Sequence, residues 1–221
     1  MAEDHRVRVA REKRGRMRAH LLQAVMKVYS RVGFDGSAVI EDVVKEAEVS
    51  RGTFYKYFDT LEQAVAELGL ELALEMTEGI LSVYDVLDDP VSRTATGFQM
   101  FLLRALLEPE WGAFIAHIGL LSGDNLFANK IQDDIRLGVQ TGDYVVDSIE
   151  IATDLLMGAK IEAILRIIAG GRGTDYVRTM TMMVLRSFGV SPTKAEKVVT
   201  KAFVRLGEEA PGKIGWWRPV D

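Results

Sequence analysis

The 221-residue sequence contains no cysteine, three histidines and five prolines. The lack of cysteine excludes disulfides, thiolate metal sites and cysteine nucleophiles, and is typical of a reducing compartment, so we expect a cytoplasmic protein. The histidines His5, His20 and His117 are scattered, and no Walker loop, dinucleotide fingerprint or pair of Glu-x-x-His motifs occurs. We therefore predict no metal, no cofactor and no catalytic residue.

Long hydrophobic runs are absent as well. The N-terminal segment is charged throughout, and no stretch approaches the roughly 18 uncharged apolar residues expected of a membrane span. The most apolar segment, 151–170, carries Asp154, Lys160, Glu162 and Arg166 at intervals. We expect a soluble protein with no membrane partner, in which 151–170 is a buried or interface helix.

Charge is distributed unevenly along the chain, whose net charge is −5. Residues 1–60 contain twelve Lys and Arg against nine Asp and Glu, whereas the remainder contains fifteen against twenty-three. Seven of the cations lie within residues 6–18, where Glu12 is the one acid. A short basic arm before the first helix indicates an anionic partner at one end of the molecule, although a solvated, disordered tail would have the same composition.

Helical periodicity dominates the sequence and strand signals are scarce, which predicts an all-α fold. In the N-terminal part, Ser37 and Ser50 are expected to cap two short helices. Thr60 and Gln63 form a T-x-x-Q capping box at the start of a longer helix. The predicted helices of this part span 14–32, 37–48, 51–57 and from 60 past 75.

Six further helices are predicted in the C-terminal part, at 90–107, 109–121, 124–137, 148–169, 174–188 and 192–206. Prolines at expected first turns and glycines between the segments mark their ends. The tail 208–221 contains Trp216 and Trp217 but has no helical period. It either packs on the rest of the chain or is poorly ordered.

The segment 49–58, VSRGTFYKYF, combines aromatic, cationic, hydroxyl and glycine residues. On a helix, Phe54, Phe58 and Leu61 share one face and are expected to be buried. A short helix, a three-residue turn and a second short helix form a helix-turn-helix, whose second helix enters the DNA major groove. The candidate DNA-binding residues are Arg51, Gly52, Thr53, Tyr55, Lys56 and Tyr57, with Ser37 and Thr60 as phosphate contacts at helix starts.

An alternative applies to the two tyrosines, since Tyr55 and Tyr57 would also fit a surface helix as half-buried aromatics. The basic arm, the short helices and the three caps favour DNA binding. Gly52 has no side chain, which allows close approach of the backbone to DNA.

Residues 33–68, GFDGSAVIEDVVKEAEVSRGTFYKYFDTLEQAVAEL, resemble the N-terminal DNA-binding domain of the TetR family of transcriptional regulators. The resemblance lies in a Gly-aromatic pair at 33–34, an Ala-x-Val-Ser turn at 47–50 and a Gly-x-aromatic-Tyr run from 52. Glu48 stands where the family usually has glycine, Leu61 stands where a lysine is usual, and one extra residue follows Gly33. The resemblance implies a small core formed by Phe34, Val43, Ala47, Val49, Phe54 and Phe58.

The same resemblance implies a homodimer in which long C-terminal helices pair across a two-fold axis. The candidate faces contain Ile149, Ala152, Leu156, Ala159, Ala163 and Ile167 on 148–169, and Met180, Met183 and Val184 on 174–188. An ordinary intrachain core would show the same pattern.

A small-molecule pocket among the middle helices is also implied by the resemblance. The candidate ligand-binding residues are Phe98, Phe101, Arg104, Trp111, Phe114 and His117, and Met100, Asn125 and Phe127 are further candidates. Core packing is the alternative for each aromatic residue, and a hydrogen-bonded core position is the alternative for His117.

Taken together, the sequence predicts a DNA-binding domain at 1–60 and an effector-binding and dimerisation domain at 61–221. The expected function is a homodimeric transcriptional regulator, a repressor released from a palindromic operator in double-stranded DNA by a small-molecule effector. Two alternatives stay open: a DNA-binding organiser without an effector, and an α-helical ligand-binding protein or enzyme that does not bind DNA.

Overall fold

The structure, a computed structural model, describes residues 5–32, 38–84, 87, 89–121 and 126–220. All regular secondary structure in these ranges is α-helical, and the predicted fold class is confirmed. The chain divides into two compact units, Met1–Leu72 and Ala73–Asp221. The division falls inside the fourth helix, whereas the sequence analysis divides the chain at residue 60.

The N-terminal unit contains α1 (His5–Val32), α2 (Ile40–Glu46), α3 (Arg51–Phe54) and the first part of α4 (Leu61–Tyr84). α1 begins at His5 rather than at residue 14, so the expectation of a basic arm before the first helix is wrong. The basic segment 6–18 is the beginning of α1. It contains mostly good helix formers, and Arg8 and Glu12 pair at 3.9 Å one turn apart, so nothing in it ends the helix.

Both short helices are shorter than predicted. The N-cap of α2 is Val39 rather than Ser37, and the Val39 amide donates to Asp42 Oδ2 at 3.1 Å. Ser37 itself lies outside the described residues, together with Gly33 and Phe34. α3 ends at Phe54, and a turn continues the chain to Tyr57.

The core of the N-terminal unit draws on all four helices. Of the core residues that the resemblance implies, four are buried and Val49 is half-buried. The buried apolar residues are Leu21, Leu22, Ala24, Val25, Val28, Val43, Ala47, Phe54, Phe58, Leu61, Ala64 and Leu68.

The C-terminal unit has one central helix, α5, which is buried along most of its length. Around it pack α6, α7, α8, α9 and α10. The bounds are α5 (Pro90–Leu107), α6 (Pro109–Leu121), α7 (Leu126–Gln140), α8 (Ile149–Ile168), α9 (Thr174–Ser187) and α10 (Pro192–Glu209). The predicted ranges agree with these bounds to within a few residues.

The tail after α10 packs on the rest of the C-terminal unit, so the first of the two expectations for it is correct. Ile214, Trp216 and Trp217 are buried. Ile214 lies against Gly79 of α4, and the Trp216 ring lies over the guanidinium of Arg104, whose carbon is 5.2 Å from the ring centroid.

The face of α8 that the sequence assigned to a partner belongs mostly to the core of the same chain. Ala152, Leu156, Ala163 and Ile167 are buried there, as is Val184 of α9. The alternative of an intrachain core is therefore correct for these residues. Met183, which the sequence analysis placed on the partner-facing side of α9, is exposed. Ile151 and Leu155 of α8, which it did not name, are exposed as well.

Candidate functional site

Two buried phenylalanines and one cap hold α3 in the N-terminal unit. The Thr53 amide donates to Ser50 Oγ at 3.1 Å, so the predicted cap at Ser50 is confirmed. Phe54 and Phe58 are buried and lie with their ring centroids 5.6 Å apart. Because these side chains point into the core, the opposite side of the segment faces outward.

The turn between α2 and α3 contains a residue in a left-handed conformation. Glu48 has a φ of 53°, as expected from the glycine that it replaces. Val49 N donates to the Val44 carbonyl at 3.0 Å, and Glu48 N donates to the Lys45 carbonyl at 3.2 Å. These two bonds form a Schellman motif with Glu48 at the position that favours glycine. The turn therefore has the geometry of a Schellman motif, and the backbone at Glu48 is strained.

The outward surface of the α3 segment carries most of the predicted DNA-binding residues. Arg51, Gly52, Tyr55 and Lys56 are exposed, and Thr53 is half-buried. A Cβ atom at Gly52 would have Ser50 Oγ as its nearest neighbour, at 3.8 Å. Packing inside the protein therefore does not require glycine there, which leaves approach by an external molecule as a reason for it.

Tyr57 is half-buried and contacts α1, since the Arg14 guanidinium carbon lies 6.0 Å from its ring centroid. This contact places a cation of the basic segment next to the α3 surface. Arg18, one turn further on, faces α4 instead, where it pairs with Glu67 and with Glu71 at 2.5 Å.

Arg51 is held by neighbouring side chains. It forms an ion pair with Glu41 of α2. Hydrogen bonding with Tyr55 and the nearby Glu41 carboxylate raise the pKa of Arg51. The positive charge of this surface is therefore reduced at Arg51.

The start of α4 provides the last of the predicted phosphate contacts. Gln63 N donates to Thr60 Oγ1 at 3.1 Å, and Asp59 N donates to the Gln63 side-chain oxygen at 2.7 Å. The capping box is therefore present, with its return bond to Asp59 rather than to Thr60. Thr60 is exposed beside the α3 segment.

One residue that positions the helix-turn-helix was not singled out by the sequence analysis. His20 Nε2 lies 2.9 Å from the carbonyl oxygen of Ala47, the C-cap of α2. The bond connects α1 to the turn before α3. A lone histidine on a helix carries no pattern that would have indicated this role.

The C-terminal unit contains a cavity of about 60 Å³ between α4, α5, α7 and α8. Two of the predicted ligand-binding residues, Phe98 and Phe101, line it. The full lining is Ile80, Thr94, Gly97, Phe98, Phe101, Lys130, Ile131, Asp134, Leu156 and Lys160.

Arg104 and Trp111, also predicted as ligand-binding residues, belong to a buried cluster next to the tail. The Arg104 guanidinium carbon is 4.6 Å from the Trp111 ring centroid and 5.2 Å from that of Trp216. The same guanidinium pairs with Glu75 at 2.6 Å and Glu108 at 3.0 Å. Such a cluster joins α4, α5, α6 and the tail.

The two remaining predicted residues lie on α6. Phe114 is buried, and His117 is half-buried. Burial lowers the pKa of His117. Neither side chain is among those that line the cavity described above. The candidate Asn125 falls outside the described residues, and Phe127 lies in the first turn of α7, where its side chain is not described.

Three charged residues of the cavity wall, Lys130, Asp134 and Lys160, were not predicted. Lys160 is 4% exposed, and burial lowers its pKa to about 8. Burial also raises the pKa of Asp134, an effect that Lys130 and Arg93 partly offset. A usable signal existed for Lys160, which falls on the same face of α8 as Leu156 and Ala163.

Within the described residues, no group of three or more His, Cys, Asp or Glu side chains could hold a metal ion. No helix in those residues is long and apolar enough to cross a membrane.

Several solved structures share this fold. RolR in complex with resorcinol superimposes with a TM-score of 0.63 at 22% identity over 86% of this chain and 96% of its own. FadR from Bacillus subtilis in complex with stearoyl-CoA superimposes with a TM-score of 0.62 at 16% identity, over 77% of this chain and 96% of its own. A TetR-family transcriptional regulator from Pectobacterium atrosepticum superimposes with a TM-score of 0.51 at 20% identity, over 81% of this chain and 93% of its own. No curated protein sequence matches the chain.

Family models match both units. The model of bacterial regulatory proteins of the tetR family matches residues 21–68, which include the α2–α3 turn and the exposed α3 surface. The model of the tetracyclin repressor-like C-terminal domain matches residues 89–201, half of the chain. With the helix-turn-helix unit and the helical C-terminal unit both matched, the chain belongs to the TetR family of transcriptional regulators.

Proposed function

We propose that this protein is a homodimeric repressor that binds a palindromic DNA operator in the cytoplasm and is released by a small-molecule effector. Family membership supports the DNA-binding and ligand-responsive parts of this proposal at the level of the family. The observation that carries it is the exposed α3 surface, with its two buried phenylalanine anchors.

DNA recognition is assigned to the residues that this surface exposes. Lys56 and Arg51 would contact phosphates, and Tyr55 and the backbone at Gly52 would lie in the major groove. Thr60 and Ser37 would donate to phosphates at the edges of the groove. The cations of 6–18 would extend the charged surface along α1.

A homodimer would place two α3 helices on half-sites about one helical turn, roughly 34 Å, apart. Three exposed apolar side chains on α8 and α9, Ile151, Leu155 and Met183, support pairing of these helices with a second copy. Ile151 is 69% exposed, which is unfavourable for a large aliphatic side chain unless a partner covers it.

The effector is assigned to the cavity in the C-terminal unit. The wall is mostly apolar and includes a few polar groups, which is typical of sites for small molecules. Relatives of the same fold have been solved with resorcinol and with stearoyl-CoA, which supports a ligand-responsive C-terminal unit without indicating the ligand here. Binding would act by favouring a conformation that does not fit the operator.

The test is DNA binding by the full chain to a sequence selected from a random duplex pool, measured by fluorescence anisotropy at several salt concentrations. Lys56→Ala removes one phosphate contact, so we expect about tenfold weaker binding and a salt slope smaller by about one. Tyr55→Ala should weaken binding as well. Lys197→Ala, an exposed lysine of α10, is the control and should change neither quantity.

Each alternative function predicts a different result. A wild-type protein that selects no sequence, or variants that bind as tightly as the wild type, would exclude DNA recognition by α3. Operator binding that no small molecule changes would favour the organiser without an effector.

A further inference from the structure

A second cavity lies in the C-terminal unit, between α10 and the start of α5, and is called the α5–α10 cavity below. Its volume is about 170 Å³, and its walls include Asp89, Ser92, Thr96, Lys201 and Arg205. It shares no lining residue with the cavity to which we assign the effector. Because a cavity of about 150 Å³ admits benzene, the α5–α10 cavity has room for a molecule of roughly that size.

The floor of the α5–α10 cavity contains a buried hydroxyl group that lacks a hydrogen bond. Thr96 is 2% exposed, and its Oγ1 atom has no hydrogen-bond partner among the residues that the structure describes. A buried polar group without a partner is unfavourable, so a polar atom of a bound molecule beside Thr96 would be stabilised there. Ser92, one turn earlier on the same face of α5, adds a second hydroxyl group to the wall. The cavity therefore suits a polar ligand rather than a hydrocarbon.

The rim of the cavity carries charges of opposite sign on its two sides. On the α5 side, Asp89 is exposed, and its carboxylate accepts the Ser92 amide at 2.8 Å. On the α10 side, Lys201 is exposed and Arg205, one turn later, is half-buried. Arg205 Nε pairs with Glu209 at 2.6 Å, which leaves Lys201 as the exposed cation of this wall.

This arrangement of charges favours a zwitterion over a simple ion. A simple anion at Lys201 would lie near the Asp89 carboxylate, and a simple cation at Asp89 would meet Lys201 and Arg205. A molecule with one carboxylate and one ammonium group matches both walls, and its ion pairs are stronger in a partly enclosed cavity than in bulk water.

We propose that the α5–α10 cavity binds a small α-amino acid. The carboxylate of the ligand would face Lys201 and the Thr96 hydroxyl, and its ammonium group would face Asp89. Alanine has as many non-hydrogen atoms as benzene, so an amino acid of the size of alanine or serine fits the volume. The site goes beyond the proposed function, because it is separate both from the α3 surface and from the cavity assigned to the effector.

Isothermal titration calorimetry with L-alanine, propionate and ethylamine tests the ligand class. Propionate is alanine without its ammonium group, and ethylamine is alanine without its carboxylate. We expect L-alanine to bind the wild-type protein at least about tenfold more tightly than either fragment, because each fragment loses one charge-assisted contact.

Three variants test the assigned contacts. Asp89→Asn keeps a residue that caps α5 and removes the negative charge, so it should weaken alanine binding about tenfold and leave propionate binding unimpaired. Lys201→Met should weaken the binding of alanine to a similar extent and not that of ethylamine. Thr96→Val keeps the shape of the side chain and should weaken alanine binding without destabilising the ligand-free protein, since its hydroxyl has no partner there.

Lys197→Met is the matched control. Lys197 is exposed one turn before Lys201 on α10, and it does not line the α5–α10 cavity. This variant should bind alanine as tightly as the wild type does.

Three results would overturn the inference: no binding of L-alanine by the wild type at millimolar concentration, equal affinity for alanine and either fragment, or an alanine affinity that Asp89→Asn and Lys201→Met leave unchanged. The first two need no variant and do not depend on how the variants fold. All these titrations are made without DNA, so a protein that binds no operator would still confirm or overturn the amino acid site.

Discussion

At the scale of single residues, Glu48 combines backbone strain with an unfavourable charge. Its φ of 53° is a conformation that costs a residue other than glycine about 1 kcal/mol. The side chain is exposed between α2 and α3, next to the surface to which we assign DNA binding.

Replacing Glu48 with glycine should therefore raise the free energy of unfolding by up to about 1 kcal/mol, measured by urea denaturation. The affinity for DNA should rise too, because a negative charge near the phosphates is lost. Glu48→Ala separates the two effects, since it removes the charge and keeps the strain. A Glu48→Gly variant less stable than Glu48→Ala would show that the positive φ is not strained.

Lys160 is the second residue that lowers the stability of the folded protein. Burial lowers its pKa to about 8, so below that pH the folded protein holds a buried ammonium group. Between pH 8 and the ordinary lysine pKa, the unfolded chain binds more protons than the folded one. The free energy of unfolding therefore rises with pH in this window, by up to about 1.4 kcal/mol per unit.

Lys160→Met should consequently be more stable than the wild type at neutral pH, on the order of 3 kcal/mol, and the difference should narrow as the pH rises above 8. Urea denaturation followed by circular dichroism at several pH values measures this. Lys130→Met is the control, since its ammonium group is exposed beside Asp134 and Arg93. If the free energies of unfolding of wild type and Lys160→Met differ by the same amount at every pH, the buried ammonium group of Lys160 is not the cause of the difference.

At the scale of elements, the tail after α10 contributes to the core rather than extending from it. Trp216 is buried and packs on the Arg104 guanidinium, which also contacts Trp111. Ile214 fills the space next to Gly79. The tail therefore joins α4, α5 and α6 in the C-terminal unit.

Trp216→Ala should lower the free energy of unfolding of the C-terminal unit by about 3–5 kcal/mol, as expected for a buried aromatic side chain. Chemical denaturation gives the value. Lys213→Ala, an exposed position in the same segment, should change it by less than about 0.5 kcal/mol. Equal stability of Trp216→Ala and wild type would mean that the tail is not docked in solution.

The elements also show what sequence patterns determine. Ser50, Phe54, Phe58 and Thr60 could be placed correctly because caps and helical spacing are local. The start of α1 was missed because a basic segment of good helix formers has the same composition whether it is a disordered arm or a helix.

The faces of α8 could not be assigned for a different reason. Periodicity indicates that Leu156 and Ala163 are buried, but it does not say whether the same chain or a second copy covers them. The positions of Lys160 and Asp134 in one cavity depend on the packing of α7 against α8, which no local pattern contains. Packing also decides the position of Arg104. It was predicted to line the pocket, but it contacts tryptophans and acids in a separate cluster.

At the scale of the whole molecule, the proposed dimer can be tested separately from DNA binding. Ile151→Asp places a charge on the exposed apolar part of α8, so the molecular mass measured by analytical ultracentrifugation should change from that of a dimer to that of a monomer. Val204→Asp is the matched control, since Val204 is also exposed but lies on α10. A monomeric wild type, or a dimeric Ile151→Asp, would exclude pairing through this face.

The distribution of tryptophan gives the molecule a built-in spectroscopic label. All three tryptophans of the chain belong to the C-terminal unit, where Trp111, Trp216 and Trp217 are buried. Their emission therefore follows only that unit, whereas the far-ultraviolet circular dichroism signal includes helices of both. Comparing the two signals during denaturation would show whether the helix-turn-helix unit melts in the same transition as the unit that carries the cavity.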